Sequence, residues 1–147
     1  MEVIRLNEWK LIARGNAVEH IGGELNLLEL KFSLLYGAFL RNNASLCFDF
    51  NVNMIRQQHS LTVKRSSKVY NIPRNPINGN VSVLAQEENL VKIFRNKYFR
   101  FKYCIKVLHE QDKKLAFHID YQKVEMVPGQ RGIVLSKRKT IEVMHKL

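Results

Sequence analysis

Between Asn89 and His109 the chain carries six basic side chains, Lys92, Arg95, Lys97, Arg100, Lys102 and Lys106, and no carboxylate. Three of them, Arg100, Lys102 and Lys106, fall at even positions in a stretch whose odd positions are Phe99, Phe101, Tyr103, Ile105 and Val107. A strand sends alternate side chains to opposite faces, so this spacing gathers the cations on one face, with neighbours about 6.5–7 Å apart. That separation is close to that of successive phosphates on a nucleic-acid strand, whose charge Lys and Arg neutralise.

The alternation repeats after a polar HEQDKK segment, in Leu115, Phe117, Ile119 and Tyr121. Two such runs predict a long antiparallel hairpin. Pairing must join odd to odd positions, Ile105 with Ile119 or with Phe117, to keep both apolar sets on one face. Either register leaves a turn of about three residues near Gln111-Asp112. The cationic face then also receives Ala116, His118, Asp120 and Gln122.

Two further acid-free stretches extend the basic set. Residues 50–86 hold Arg56, Lys64, Arg65, Lys68 and Arg74, and residues 126–141 hold Arg131, Lys137, Arg138 and Lys139. Ser66, Ser67, Asn71, Asn75, Asn78 and Asn80 surround the first group. Such short polar side chains suit phosphate and sugar contacts, and are equally typical of a polar loop. The formal net charge of +11 is unevenly spread: residues 1–49 have five basic groups against six acids, residues 50–147 nineteen against seven. A surplus of that size attracts polyanions.

Exposed rings stack bases in single-strand binders. Phe99, Phe101, Tyr103, Phe117 and Tyr121 share the period of the Ile and Val residues and read as core, whereas Phe94, Tyr98 and Tyr70 break that phase and are the stacking candidates. A metal-independent nuclease would need His109 and His118 with a lysine as base, acid and phosphate stabiliser. His109, however, falls with the odd, core-side set. Glu29-x-Lys31 has no upstream Asp to complete a nuclease metal site, and Cys47, Cys104 and the five histidines lack close ligand spacing. Gly22-Gly23 and Gly129 stand outside any strand–helix phosphate loop. No catalytic residue, metal or cofactor is expected.

The elements that must position these groups read as follows. Val3 to Arg14 is a strand or strand pair, with Gly15-Asn16 and Gly22-Gly23 as turns. Residues 24–41 (ELNLLELKFSLLYGAFLR) alternate at Leu28, Leu30, Phe32 and Leu34, yet at helical spacing Asn26, Glu29, Ser33, Gly37 and Arg41 share one arc. The segment lacks Val, Ile and Thr, which favours a helix. Leu46, Phe48, Phe50, Val52 and Met54 form a half-buried strand. Residues 56–80 read as a long basic loop, because Pro73, Pro76 and Gly79 prevent a helix through 72–79. Val81 to Leu84 and Leu90 to Phe94 are short strands. Val124 to Met126 with Ile133 to Leu135 make a strand pair, and Ile141 to Leu147 is a last strand or short helix.

The expected fold is therefore α+β: one long helix in the N-terminal half, packed on a mostly antiparallel sheet with a long C-terminal hairpin. Residues 1–147 form a single domain, with lobes 1–55 (helix-containing) and 56–147 (basic, β-rich). No stretch approaches the roughly 20 apolar residues of a membrane span. The N-terminus (MEVIRLNEWK) does not read as a secretory signal. A cytoplasmic protein, or a nucleoid or nuclear one, is expected, with Cys47 and Cys104 as buried free thiols.

Residues 9–41 resemble the start of an OmpR-type winged-helix effector domain, through Leu25, Leu28, Glu29, Phe32, Leu34 and Leu35. Residues 124–139 (VEMVPGQRGIVLSKRK) resemble the closing strands of LytTR-type DNA-binding domains. Both resemblances imply a DNA-binding regulator, through incompatible folds, and the body of each family's pattern is missing. Together with the charge they make the leading expectation a non-catalytic nucleic-acid-binding protein, a small transcription regulator with DNA favoured over RNA. Its first 49 residues would serve packing or homodimer formation. A viral or phage assembly protein with a basic β face is the alternative.

Overall fold

The computed structural model describes residues 9–22, 26–39, 43–75, 79–126, 129, 133–134 and 138–147. The chain divides into two compact units, Met1–Arg74 and Asn75–Leu147. Among the described residues there is no helix, so the expected α+β fold is corrected to an all-β one.

Unit 1 is an antiparallel meander of β1 (Lys10–His20), β2 (Asn26–Phe39), β3 (Asn43–Arg56) and β4 (His59–Ile72), in that order across the sheet. The expected helix over 24–41 is β2. Its partner explains why. β3 alternates strictly, and pairing Leu28 with Met54, Leu30 with Val52, Phe32 with Phe50 and Leu34 with Phe48 buries both sets on one face. Helix propensity differs by at most about 0.7 kcal/mol per ordinary residue, whereas burying one Leu or Phe side chain stabilises by roughly 1.5–3 kcal/mol. Packing therefore overrides propensity.

Two other expectations in unit 1 are corrected. Gly15-Asn16 is no turn, because β1 runs straight through it. Gly15 lies against the buried Phe32 ring, where a Cβ would stand 2.7 Å from Cε1 and Cζ. The ring needs the space that glycine leaves. Most of the basic 56–80 loop is also strand. β3 turns into β4 through Gln57-Gln58, both at positive φ (48° and 71°), the backbone of a primed hairpin turn. Without Gly or Asn at those positions, the turn leaves no sequence signal. β4 reads as loop because it is an edge strand exposed along most of its length, and charged side chains are usual on such edges.

Unit 2 is a second meander: β5 (Val81–Phe94), β6 (Lys97–His109) and β7 (Lys113–Glu125), with β8 (Ile133–Val134) and β9 (Lys139–Lys146) both pairing with β7. The expected hairpin forms in the Ile105–Phe117 register, with residues 110–112 as its turn. Val124 pairs with Val134, as the expected strand pair requires. The two short strand candidates merge into β5, where a bulge between Val83 and Ala85 shifts the buried phase from Ser82 to Ala85. The core comprises Val91 and Ile93, Phe99 through Val107 at odd positions, and Leu115, Phe117 and Ile119. Inside it the buried Tyr103 hydroxyl donates to Glu87 Oε2 at 2.5 Å. Among the described residues, no helix is long and apolar enough to cross a membrane.

Candidate nucleic-acid interface

The register turns the even positions of β6 and β7, and of β5 between its two register shifts, to the face opposite the core. Four rows cross it: Leu90–Arg100–Gln122, Glu88–Lys102–Asp120–Thr140, Gln86–Cys104–His118–Glu142 and Val83–Lys106–Ala116–Met144. Arg100, Lys102, Lys106 and His118 thus share one face, as their spacing predicts. β6 and β7, however, are central strands of the sheet and not a projecting ribbon.

The rows also bring acids into a stretch that is acid-free along the chain. Glu88 lies 3.9 Å from Arg100 and 3.7 Å from Lys102, Asp120 is opposite Lys102, and Glu142 is opposite His118. Counting along a single strand overstates the positive charge of a sheet. What survives is an uneven distribution along the strands. Level with residues 97–102 of β6 and including the β5–β6 turn, the two faces together carry Lys92, Arg95, Lys97, Arg100, Lys102, Lys123, Arg138 and Lys139 against Glu88, Asp120 and Glu125, with Lys97, Lys123, Lys139 and Glu125 in the core-side rows. The half level with residues 104–109 carries Lys106, Lys113, Lys114 and Lys146 against Glu110, Asp112 and Glu142. Summed over both faces, the described cations are more numerous at the β5–β6 turn end.

That end contains a cleft of about 320 Å³ lined by Arg100, Lys102, Asp120, Tyr121, Gln122 and Arg138. Its polar groups are partly pre-ordered. The Gln122 side-chain oxygen accepts from the Arg100 guanidinium, and Thr140 Oγ1 donates to Asp120 at 2.6 Å. Three cations facing one carboxylate in a concave surface suit an anion, with the Arg forks able to hold a phosphate in bidentate fashion. At the end of β5, past a register shift after Lys92, Phe94 pairs with Lys97 and has 53% of its surface accessible, and the Arg95 guanidinium lies 5.2 Å from its ring centroid. Arg95 itself sits at φ 45° in the turn. Tyr98 is half-buried.

The two histidines are not brought together. His109 is on the core-side phase and bonds Ser82 Oγ through Nε2 at 2.9 Å, while His118 is on the opposite face beside Cys104. Burial, and then the Lys113 charge, lower the His109 pKa from its ordinary 6.5. Burial raises both thiols above their ordinary 9.0. Lys106 partly offsets this at Cys104, and a Ser67 hydrogen bond does so at Cys47. Both cysteines are free, and no cluster of three metal-ligating side chains occurs among the described residues.

The remaining expected contacts lie in unit 1 or outside the described residues. On β4, Lys64 and Lys68 pair with Val52 and Phe48, whereas Arg65 pairs with Asn51, so the group is split between two faces of the edge strand. Arg56 ends β3 with its guanidinium 3.9 Å from Met54 Sδ, and Arg74 follows β4. Arg131 and Lys137 lie outside the described residues. Sequence reasoning missed Lys123 and the carboxylates Glu88 and Glu142, because only the cross-strand register shows what they adjoin. It also missed a cleft of about 210 Å³ in unit 1, where Arg14, Lys31, Ser33, Asp49 and Asn51 from three strands meet beside Phe32 and Phe50. Comparison of the chain with protein-family models, curated proteins and solved structures finds no match.

Proposed function

We propose that this protein binds nucleic acid without catalysis, through the β5–β6 turn end of the unit 2 sheet. One observation carries the reading: a cleft there is lined by three cations, Arg100, Lys102 and Arg138, against one carboxylate, Asp120. The Glu88 pairs do not neutralise this surface. Both are long and solvent-exposed, a geometry worth about 0–1 kcal/mol, so an incoming phosphate displaces the carboxylate at little cost.

Filter binding of double-stranded DNA, single-stranded DNA and RNA across a salt series tests the reading. Affinity should fall steeply with salt, by roughly 0.7–0.9 in log–log slope for each phosphate neutralised. The double variant Arg100→Glu/Lys102→Glu should weaken binding and flatten that slope, while Glu88→Gln should strengthen binding. Absent or salt-insensitive binding to all three probes would overturn it.

An assembly protein is the second reading, favoured by Leu61 and Val69, which edge strand β4 exposes by 68% and 52%. Large, symmetric oligomers on sizing, unaffected by the Arg100 and Lys102 substitutions, would support it.

A further inference from the structure

We infer that β5 is a dimer edge: two copies of this chain pair their β5 strands antiparallel, about a two-fold axis through Leu90. Dimer formation and nucleic-acid binding are independent here, and neither needs the other. β5 is the first strand of its sheet and, among the described residues, pairs only with β6, so one side of its backbone has no strand beside it. Such an edge is a template for another chain unless it is short, bulged, proline-bearing or strongly charged. Between its two register shifts β5 has no proline or glycine, and Glu87, Glu88 and Lys92 are its only charged side chains.

Face and charge select the register. A two-fold axis normal to the sheet keeps the outward faces of both copies together, so only residues of the same phase oppose one another. The outward set is Gln86, Glu88, Leu90 and Lys92, all exposed, with Leu90 at 46%. Centring on Glu88 sets two carboxylates face to face, and centring on Asn89 sets Glu88 against Leu90. Centring on Leu90 sets each Glu88 opposite Lys92 of the second copy and covers the two Leu90 side chains with each other. Opposite charges directly across an antiparallel pair stabilise it, and like charges destabilise it. On the other face this register brings Asn89 to Val91 and Glu87 to Ile93. There Val91 and Ile93 are already buried in their own core, and Glu87 accepts from Tyr103. β4 and β9 fit less well. β4 carries Lys64, Arg65 and Lys68 without an acid, so self-pairing gathers like charge. β9 repeats the spacing in Glu142, Met144 and Lys146, but Lys146 is held by Asp112 at 3.3 Å and the strand ends there. Because Arg100 pairs with Leu90, the Arg100 residues of the two copies stand three strand spacings apart, about 14 Å, on one continuous face.

Sedimentation equilibrium of the full chain over a concentration series tests this, with circular dichroism to show each variant folded. The wild type should pass from one chain to two as concentration rises. Leu90→Lys, which puts two ammonium groups on the axis, should abolish the dimer, whereas Met144→Lys should leave it unchanged. Glu88→Lys and Lys92→Glu should each weaken it by about tenfold or more, and the double variant Glu88→Lys/Lys92→Glu should restore it. Oxidation by diamide should link Leu90→Cys chains through an intersubunit disulfide and leave Glu88→Cys chains unlinked, because residue 88 meets 92 and not itself. A chain that stays monomeric at every concentration overturns the dimer. So does a dimer that survives Leu90→Lys, one that Met144→Lys breaks, or a charge swap that restores nothing. Each of these outcomes leaves nucleic-acid binding standing, since filter binding reads it separately.

Discussion

The two units are built to the same plan and differ in the face turned away from the core. Each is an antiparallel meander of long strands, with a central pair that buries an alternating set of Phe, Leu, Ile or Val on one face. Each central pair also buries one free cysteine on the other face, Cys47 or Cys104. In unit 1 that other face is dominated by short polar side chains, with Ser33, Ser45, Asp49, Asn51 and Asn53 along β2 and β3. In unit 2 it carries Arg100, Lys102 and Lys106, opposed by a few acids. One strand pattern thus serves two surfaces, and the residues at the non-core positions decide which of them attracts an anion.

The strongest way to break this comparison is to damage one core and ask whether the other notices. Phe48→Ala and Phe101→Ala each remove a fully buried ring and should cost about 3–5 kcal/mol. Trp9, the single tryptophan, reports unit 1, and alkylation of Cys104 in a Cys47→Ser background reports unit 2. Phe48→Ala should lower the denaturant midpoint read by Trp9, and Phe101→Ala the one read by Cys104. Equal shifts at both probes for either substitution would make the units one cooperative fold.

Buried polar chemistry sharpens the contrast. Tyr103→Phe removes the hydroxyl that donates to Glu87 and should destabilise unit 2 by about 1.5–3 kcal/mol, with Glu87→Gln recovering part of the loss. Unit 1 should show its own sensitivity at a backbone contact. Gly15→Val drives a side chain into the Phe32 ring and should cost about 1–3 kcal/mol, measured by thermal melting. Combining it with Phe32→Leu should cost less than the sum of the two single changes.

The smallest expected effect is on pH dependence. His109 has a lowered pKa when folded, so the unfolded chain binds the proton more readily. Its contribution to stability is complete above 6.5 and is lost as the pH falls through the folded value. His109→Gln should therefore flatten the acid side of the stability profile in unit 2, as measured by urea midpoints between pH 5 and pH 8. The thiols have the opposite sign. Raised when folded, they stabilise below 9.0, and that contribution is lost as the pH rises further, in both units.

How much of this was legible depended on the kind of signal. β3 and the β6–β7 hairpin were readable, because strict alternation at Leu46–Met54 and Phe99–Val107 has no helical counterpart. The hairpin register followed from the need to bury both apolar sets. β2 was ambiguous because leucine serves helix and strand equally, and the partner that decides is β3, fourteen or more residues away for most of its length. β4 was missed because an edge strand need not hide an apolar face, so its Lys, Arg and Ser residues imitate a loop. At the site, the cations of β6 were visible in sequence. Glu88, Asp120 and Glu142, which temper them, became neighbours only through pairing.

The amino-acid sequence alone determined the sign and size of the charge, the alternating core segments and the face on which Arg100, Lys102, Lys106 and His118 fall. All of these depend only on residue type and on the two-residue repeat of a strand. Tertiary structure alone decided that residues 26–39 join a sheet, that the basic hairpin lies at the sheet's centre, and that Arg100, Lys102 and Arg138 meet in one cleft. Each of those depends on which strand lies next to which, and the hydrogen bonds and side-chain rows that set this link residues far apart in the chain.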